Sequence, residues 1–101
     1  MPEMTFHVRW PDGTEERCYS PSLVMHDYLE AGSAYPVAEF VDRSTEALQL
    51  ASQRVKAKFG FECTSAMAQE AEIRDTAARF DRGSVRILAM DPPQLPTGAG
   101  S

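Results

Sequence analysis

The chain contains no apolar run near the ~18 residues that a membrane helix needs. Its first six residues include Glu3 and hold no apolar stretch of signal-peptide length. We therefore expect a cytoplasmic protein. Basic residues are scarce, with ten Lys and Arg against fifteen Asp and Glu, a net charge of −5. That sign argues against a large nucleic-acid interface and against docking on an anionic membrane. Cysteine is scarcer still. Cys18 and Cys63 are the two present, too few for a secreted disulfide scaffold. No Cys-x-x-Cys or His-x-x-x-His spacing occurs, so His7, His26 and the cysteines are not expected to hold a metal. No glycine-rich dinucleotide motif, phosphate loop or nucleophile elbow is present either, and no cofactor is expected.

What remains is the composition of an ordinary globular protein, 43% apolar and 25% charged over 101 residues. A single α+β domain over residues 1–91 is expected, followed by a mobile tail over 92–101 rich in Pro and Gly. Residues 4–10 alternate, with Met4, Phe6, Val8 and Trp10 on one face, which predicts a half-buried strand. Pro11-Asp12-Gly13 then predicts a three-residue hairpin loop. That loop sets Val8 opposite Glu16, Phe6 opposite Cys18, His7 opposite Arg17 and Arg9 opposite Glu15. Glu16 is the anomaly, a carboxylate on the apolar face.

Three helices are expected next. Ser20 suits an N-cap, Pro21 a first helical position and Gly32 the residue after the end, around Val24, Met25, Tyr28 and Leu29. Pro36 opens the second helix and Gly60 closes it, with Val37, Phe40, Val41, Leu48, Ala51, Val55 and Phe59 at helical spacing and Ser44 interrupting them. Thr64 or Ser65 caps the third, whose stripe is Ala66, Ile73, Ala77 and Phe80, with Met67 beside it. A last strand covers Ser84 to Met90. The order ββαααβ predicts a three-stranded sheet with helices packed on one face and the first strand in the middle. A free sheet edge then offers a surface for a homodimer.

Candidate chemistry is sparse. Cys63 precedes a helix start, where backbone N–H groups, with Ser65, favour a thiolate; a buried packing cysteine is the competing reading. Cys18 is expected to pack beside Phe6. Tyr19, Tyr28 and Tyr35, with Trp10, could line a shallow pocket, although aromatics in such places more often form core or a dimer interface. Arg43, Arg54, Lys56 and Lys58 spread around one helix and read first as a solvated face.

Three segments together carry a resemblance. The first runs from Met1 to Trp10 through Pro11-Asp12-Gly13 to Cys18-Tyr19-Ser20-Pro21-Ser22. The second is Tyr35-Pro36-Val37-Ala38-Glu39-Phe40-Val41 with Arg43-Ser44. The third runs from Ala51-Ser52-Gln53-Arg54-Val55 to Phe61 and into Cys63-Thr64-Ser65-Ala66. Over residues 1–90 the chain resembles a family of small bacterial nitrogen starvation response proteins. Its characteristic positions here include Cys18, Tyr19, Ser20, Tyr35, Arg43, Arg54 and Cys63. The resemblance implies a setting beside a nitrilase, a radical enzyme, an acetyltransferase and a flavin-dependent oxidoreductase, in the use of nitriles or cyanide as nitrogen sources. It supplies no catalytic residues. Two functions stand against each other: an accessory or regulatory protein binding a partner enzyme, a small ligand or a second copy of itself, and a small thiol-dependent enzyme or carrier using Cys63.

Overall fold

The turn after the first strand sets the register of the sheet. In the computed structural model, which describes residues 3–60 and 64–91, β1 (Met4–Arg9) and β2 (Glu15–Ser20) pair antiparallel. The Trp10 N–H donates to the Thr14 carbonyl at 2.8 Å, and the Gly13 N–H to the Trp10 carbonyl at 2.9 Å. Gly13 closes this loop at φ 91°, a conformation open to glycine. Asp12 Oδ1 accepts from the Thr14 N–H at 2.9 Å, and that bond holds its carboxyl below the ordinary value of 3.8. The expected register holds throughout, with Arg9 opposite Glu15, His7 opposite Arg17, Val8 opposite Glu16 and Phe6 opposite Cys18. Arg9 and Glu15 close an exposed ion pair at 3.0 Å.

The sheet has four antiparallel strands in the order β2-β1-β4-β3, where β3 is Ala34–Pro36 and β4 is Ser84–Asp91. β1 lies between β2 and the last strand, as expected. The three-stranded sheet is corrected to four by β3, which is too short to show alternation and contains a proline. Tertiary pairing creates it. The Gly32 N–H donates to the Ile87 carbonyl at 2.7 Å, and the Ile87 N–H donates to the Ser33 carbonyl at 2.8 Å. β4 carries a bulge, since Val8 pairs with Ile87 and His7 with Ala89, leaving Leu88 unmatched.

The expected first helix is also corrected. Only a 3₁₀ helix forms there, over Leu23–Asp27, and its N-cap is Ser22 rather than Ser20. Ser20 ends β2, and its hydroxyl donates to the Ser22 carbonyl at 2.8 Å. Ser22 Oγ then accepts from the Val24 N–H at 3.3 Å. The chain enters this segment through the Ser20–Ser22 turn and leaves it where Gly32 and Ser33 bond Ile87, and the 3₁₀ helix between them is five residues long. The ββαααβ order thus becomes two strands, a 3₁₀ helix, a strand, two α-helices and a strand.

α1 spans Val37–Phe59 and α2 spans Thr64–Ala77. Pro36 precedes α1 and Gly60 ends it at φ 85°, its N–H donating to the Lys56 carbonyl at 2.8 Å. Ser44 is buried in the α1 seam, where its hydroxyl donates to the Phe40 carbonyl at 2.7 Å. Val55 is half-buried, and Phe59 is 52% exposed rather than part of the seam. Length accounts for this. Twenty-three residues of helix run roughly 34 Å, whereas strands of six to eight residues run roughly 20–26 Å. The last turns of α1 overhang the sheet. α2 turns Ala66, Gln69 and Ile73 inward and leaves Met67 exposed.

One face of the sheet is buried, through Met4, Phe6, Val8, Cys18, Val85, Ile87 and Met90. Trp10 sits at the centre of this core. Phe40 from α1 meets it edge-on at 5.4 Å between centroids, and Phe80, after α2, stacks on it at 5.8 Å. Its indole N–H donates to Glu16 Oε1 at 3.1 Å, which resolves the carboxylate on the apolar face. Among the described residues no helix is long and apolar enough to cross a membrane.

Gly83 is the glycine under tightest constraint. It sits at φ 98°, a Cβ there would lie 2.8 Å from Pro11 Cβ, and its carbonyl accepts from the Val37 N–H at 3.2 Å. Gly83→Ala is expected to lower the unfolding free energy by ~1–3 kcal/mol of backbone strain, and the urea midpoint with it, more than Ala at Gly60. Trp10 fluorescence during denaturant unfolding measures it. Asp12→Ala is expected to lower thermal stability above pH 3.8. The difference from wild type should vanish as pH falls through the depressed Asp12 value, because protonation removes the favoured charged acceptor in the native chain.

Candidate functional site

The pairing of β3 with β4 brings three of the residues singled out by sequence together. Arg43 lies two turns into α1, four residues after Glu39, which places both on one helix face. Its Nε donates to Glu39 Oε2 at 3.0 Å, and its Nη1 donates to the Tyr28 carbonyl at 3.1 Å. The guanidinium lies 5.0 Å from the centre of the Tyr35 ring. The Tyr35 hydroxyl accepts from the Glu30 N–H at 3.0 Å. Arg43, Tyr28 and Tyr35 therefore form one cluster that fastens the segment between the 3₁₀ helix and β3 onto α1.

This cluster is engaged with the chain itself. An anion approaching Arg43 meets a guanidinium already facing a carboxylate, stacked on a ring and bonded to a carbonyl. The Arg43 side chain is 43% exposed, so its ion pair with Glu39 adds little. The bond to the Tyr28 carbonyl and the contact with Tyr35 set the geometry.

The other candidates lie elsewhere. Arg54 is exposed on α1, eleven residues and so roughly 16 Å further along the helix axis than Arg43. Tyr19 is half-buried on β2, and its backbone N–H donates to Gln69 Oε1 at 3.0 Å. It lines an open groove of about 250 Å³ with Glu3, Met4, Thr5 and Asp91. Ser65 is exposed in the first turn of α2. Cys63 lies outside the described residues, as does the tail over 92–101.

Cys18 is fully buried, and its thiol faces Glu16 Oε2 at 3.8 Å. Burial first, and then the Glu16 carboxylate, push the thiol far above its ordinary value. It remains protonated at neutral pH, which suits packing and not nucleophilic attack. Among the described residues no group of three or more His, Cys, Asp and Glu could hold a metal ion.

Sequence reasoning missed Gln69. It falls on the Ala66–Ile73 stripe at helical spacing, but its polar side chain concealed it. It is 6% exposed, and its Oε1 reaches across to the β2 backbone while its Nε2 is buried without a partner. Two larger grooves are also open. One of about 350 Å³ runs between α1 and α2, past Leu48, Ser52, Ala66, Met67 and Glu70. The other, of about 540 Å³, lies beside Val37, Val41, Ala77, Phe80 and Arg82. Ser52 and Glu70 share the first, where Glu70 Oε2 accepts from Gln49 and Arg74 rather than from Ser52.

Residues 5–90 match the family described as nitrogen starvation-induced protein NitG. The chain belongs to that family. No curated protein and no solved structure matches it. The NitG match covers every element from within β1 to within β4, so the Arg43 cluster, the Trp10 core and Gln69 all lie inside it.

Arg43→Ala is expected to cost ~1–2 kcal/mol of stability, since the Tyr28 carbonyl loses a charged donor, while leaving far-UV circular dichroism unchanged. Thermal melting followed by both signals checks this. In a Cys63→Ser background, Cys18 should resist a thiol reagent at neutral pH and label only as denaturant unfolds the chain. Labelling of the native protein would show that Cys18 is accessible.

Proposed function

We propose that the chain acts in the nitrogen starvation response as a non-catalytic accessory or regulatory protein that works by binding. Membership of the NitG family over residues 5–90 carries this reading. The structure supports it through what the flagged side chains are doing. Arg43, Tyr28 and Tyr35 hold one segment against α1, and Cys18 is a buried protonated thiol. The clefts near them are open grooves, which suit a partner's surface better than a sequestered reaction. The partners we propose are enzymes of a nitrilase-containing cluster that draws nitrogen from nitriles or cyanide, in the cytoplasm.

The test is recovery of the tagged chain from cells given a nitrile or cyanide as nitrogen source. The expected result is co-purification of an enzyme of that metabolism, absent from ammonium-grown cells. A Cys63→Ser chain should restore growth of a deletion strain as well as wild type does. Recovery of the chain alone, together with growth that fails in Cys63→Ser, would overturn the reading in favour of a thiol-dependent enzyme or carrier.

A further inference from the structure

The two edges of the sheet differ. β3 is three residues long and ends in Pro36, which has no N–H to offer. β2 is six residues long and forms the opposite edge. Trp10 and Thr14 make a hydrogen-bonded pair, and along an antiparallel ladder such pairs alternate. Glu16, Cys18 and Ser20 therefore bond to β1, whereas Glu15, Arg17 and Tyr19 turn their N–H and C=O groups outward. The Tyr19 N–H follows this rule, since it meets Gln69 Oε1 at 3.0 Å on the outer side. Gln69 closes the edge at Tyr19, and the edge at Glu15 and Arg17 stays open.

We propose that a second copy of the chain pairs with this open edge. The two β2 strands lie antiparallel about a two-fold axis at Glu16, so that Glu15 faces the partner's Arg17 and Arg17 faces the partner's Glu15. Charge selects this register. An axis at Glu15 sets Glu15 against the partner's Glu15, and an axis at Arg17 sets Arg17 against the partner's Arg17. Like charges directly opposite each other destabilise a strand pair. An axis at Cys18 needs the Tyr19 N–H that Gln69 occupies. An axis at Glu16 sets Glu16 opposite the partner's Glu16 on the core face, where each carboxylate is held by its own Trp10 indole. It gives two opposite-charge pairs and four backbone hydrogen bonds, whereas an axis at Glu15 or Arg17 gives no opposite-charge pair.

Glu15 and Arg17 are both exposed. Glu15 already meets Arg9 at 3.0 Å and His7 at 3.3 Å, and a carboxylate has room for a further donor. An inward-pointing charge on an edge strand often guards it against pairing. Here the Glu16 carboxylate is drawn under the sheet to the Trp10 indole, away from the edge. A contact this small makes a weak dimer that forms as concentration rises. It stands on the β2 edge alone and holds whichever partner the NitG-family chain serves.

Sedimentation equilibrium over a concentration series tests it, with Glu15→Arg and Arg17→Glu as variants. The wild type should show a monomer–dimer equilibrium. Each variant alone should be monomeric, because one places arginines and the other glutamates on both sides of the axis. Mixed one to one, they should dimerise, because residues 15 and 17 then face opposite charges in both of their pairs. A monomeric wild type, a variant that dimerises like the wild type, or a mixture that stays monomeric would overturn the proposal. Amide hydrogen exchange on the unaltered chain gives a second readout, independent of how the variants fold. Protection at Glu15 and Arg17 should rise with protein concentration, and concentration-independent exchange there would overturn the proposal too.

Discussion

Much of this fold depends on Trp10. The indole closes the first strand, and the turn that follows it sets the register of β2 through its own N–H and C=O. The same side chain packs edge-on against Phe40 of α1 and stacks on Phe80 after α2. One aromatic residue thus ties the hairpin, the long helix and the return to β4 into a single core. Its polar atom would be costly there unpaired, and Glu16 accepts its hydrogen bond. A carboxylate that conflicts with the strand's alternation is what lets a tryptophan occupy the centre.

A second constraint is the return of the chain from β2 to α1. Gly32 and Ser33 lock onto Ile87 from both sides, and Arg43 reaches back from α1 to the Tyr28 carbonyl and the Tyr35 ring. These contacts convert a short irregular stretch into the fourth strand. They also occupy the arginine and tyrosines that would be the obvious candidates for recognition. The binding we propose is therefore better placed on open grooves and on the β2 edge than in a pocket made by those side chains. Membership of the NitG family sets the physiological context as nitrogen starvation.

The candidate site was legible in the sequence only as residue types. Tyr28, Tyr35 and Arg43 were identifiable, but their convergence depends on β3, which no periodicity announces. Gln69 was on a readable helical stripe, yet nothing in its spacing shows that its amide reaches across to the Tyr19 backbone. Cys18 was expected beside Phe6 and lies there, because strand alternation and the turn together fix that position. The overhang of α1 at Phe59 was hidden for another reason: helical spacing continues whether or not a sheet lies underneath.

The sequence by itself determined the local geometry. Alternation in Met4–Trp10, the Pro11-Asp12-Gly13 turn, the cross-strand register and the span of α1 between Pro36 and Gly60 all follow from short-range sterics and hydrogen bonding. Tertiary structure alone decided where segments with weak local preference went. The expected first helix became a five-residue 3₁₀ helix, followed by a return in which Gly32 and Ser33 bond Ile87. Ala34–Pro36 became a strand because β4 supplies the backbone groups that three residues cannot satisfy among themselves. Those pairings join residues about fifty positions apart, so no local pattern in the chain encodes them.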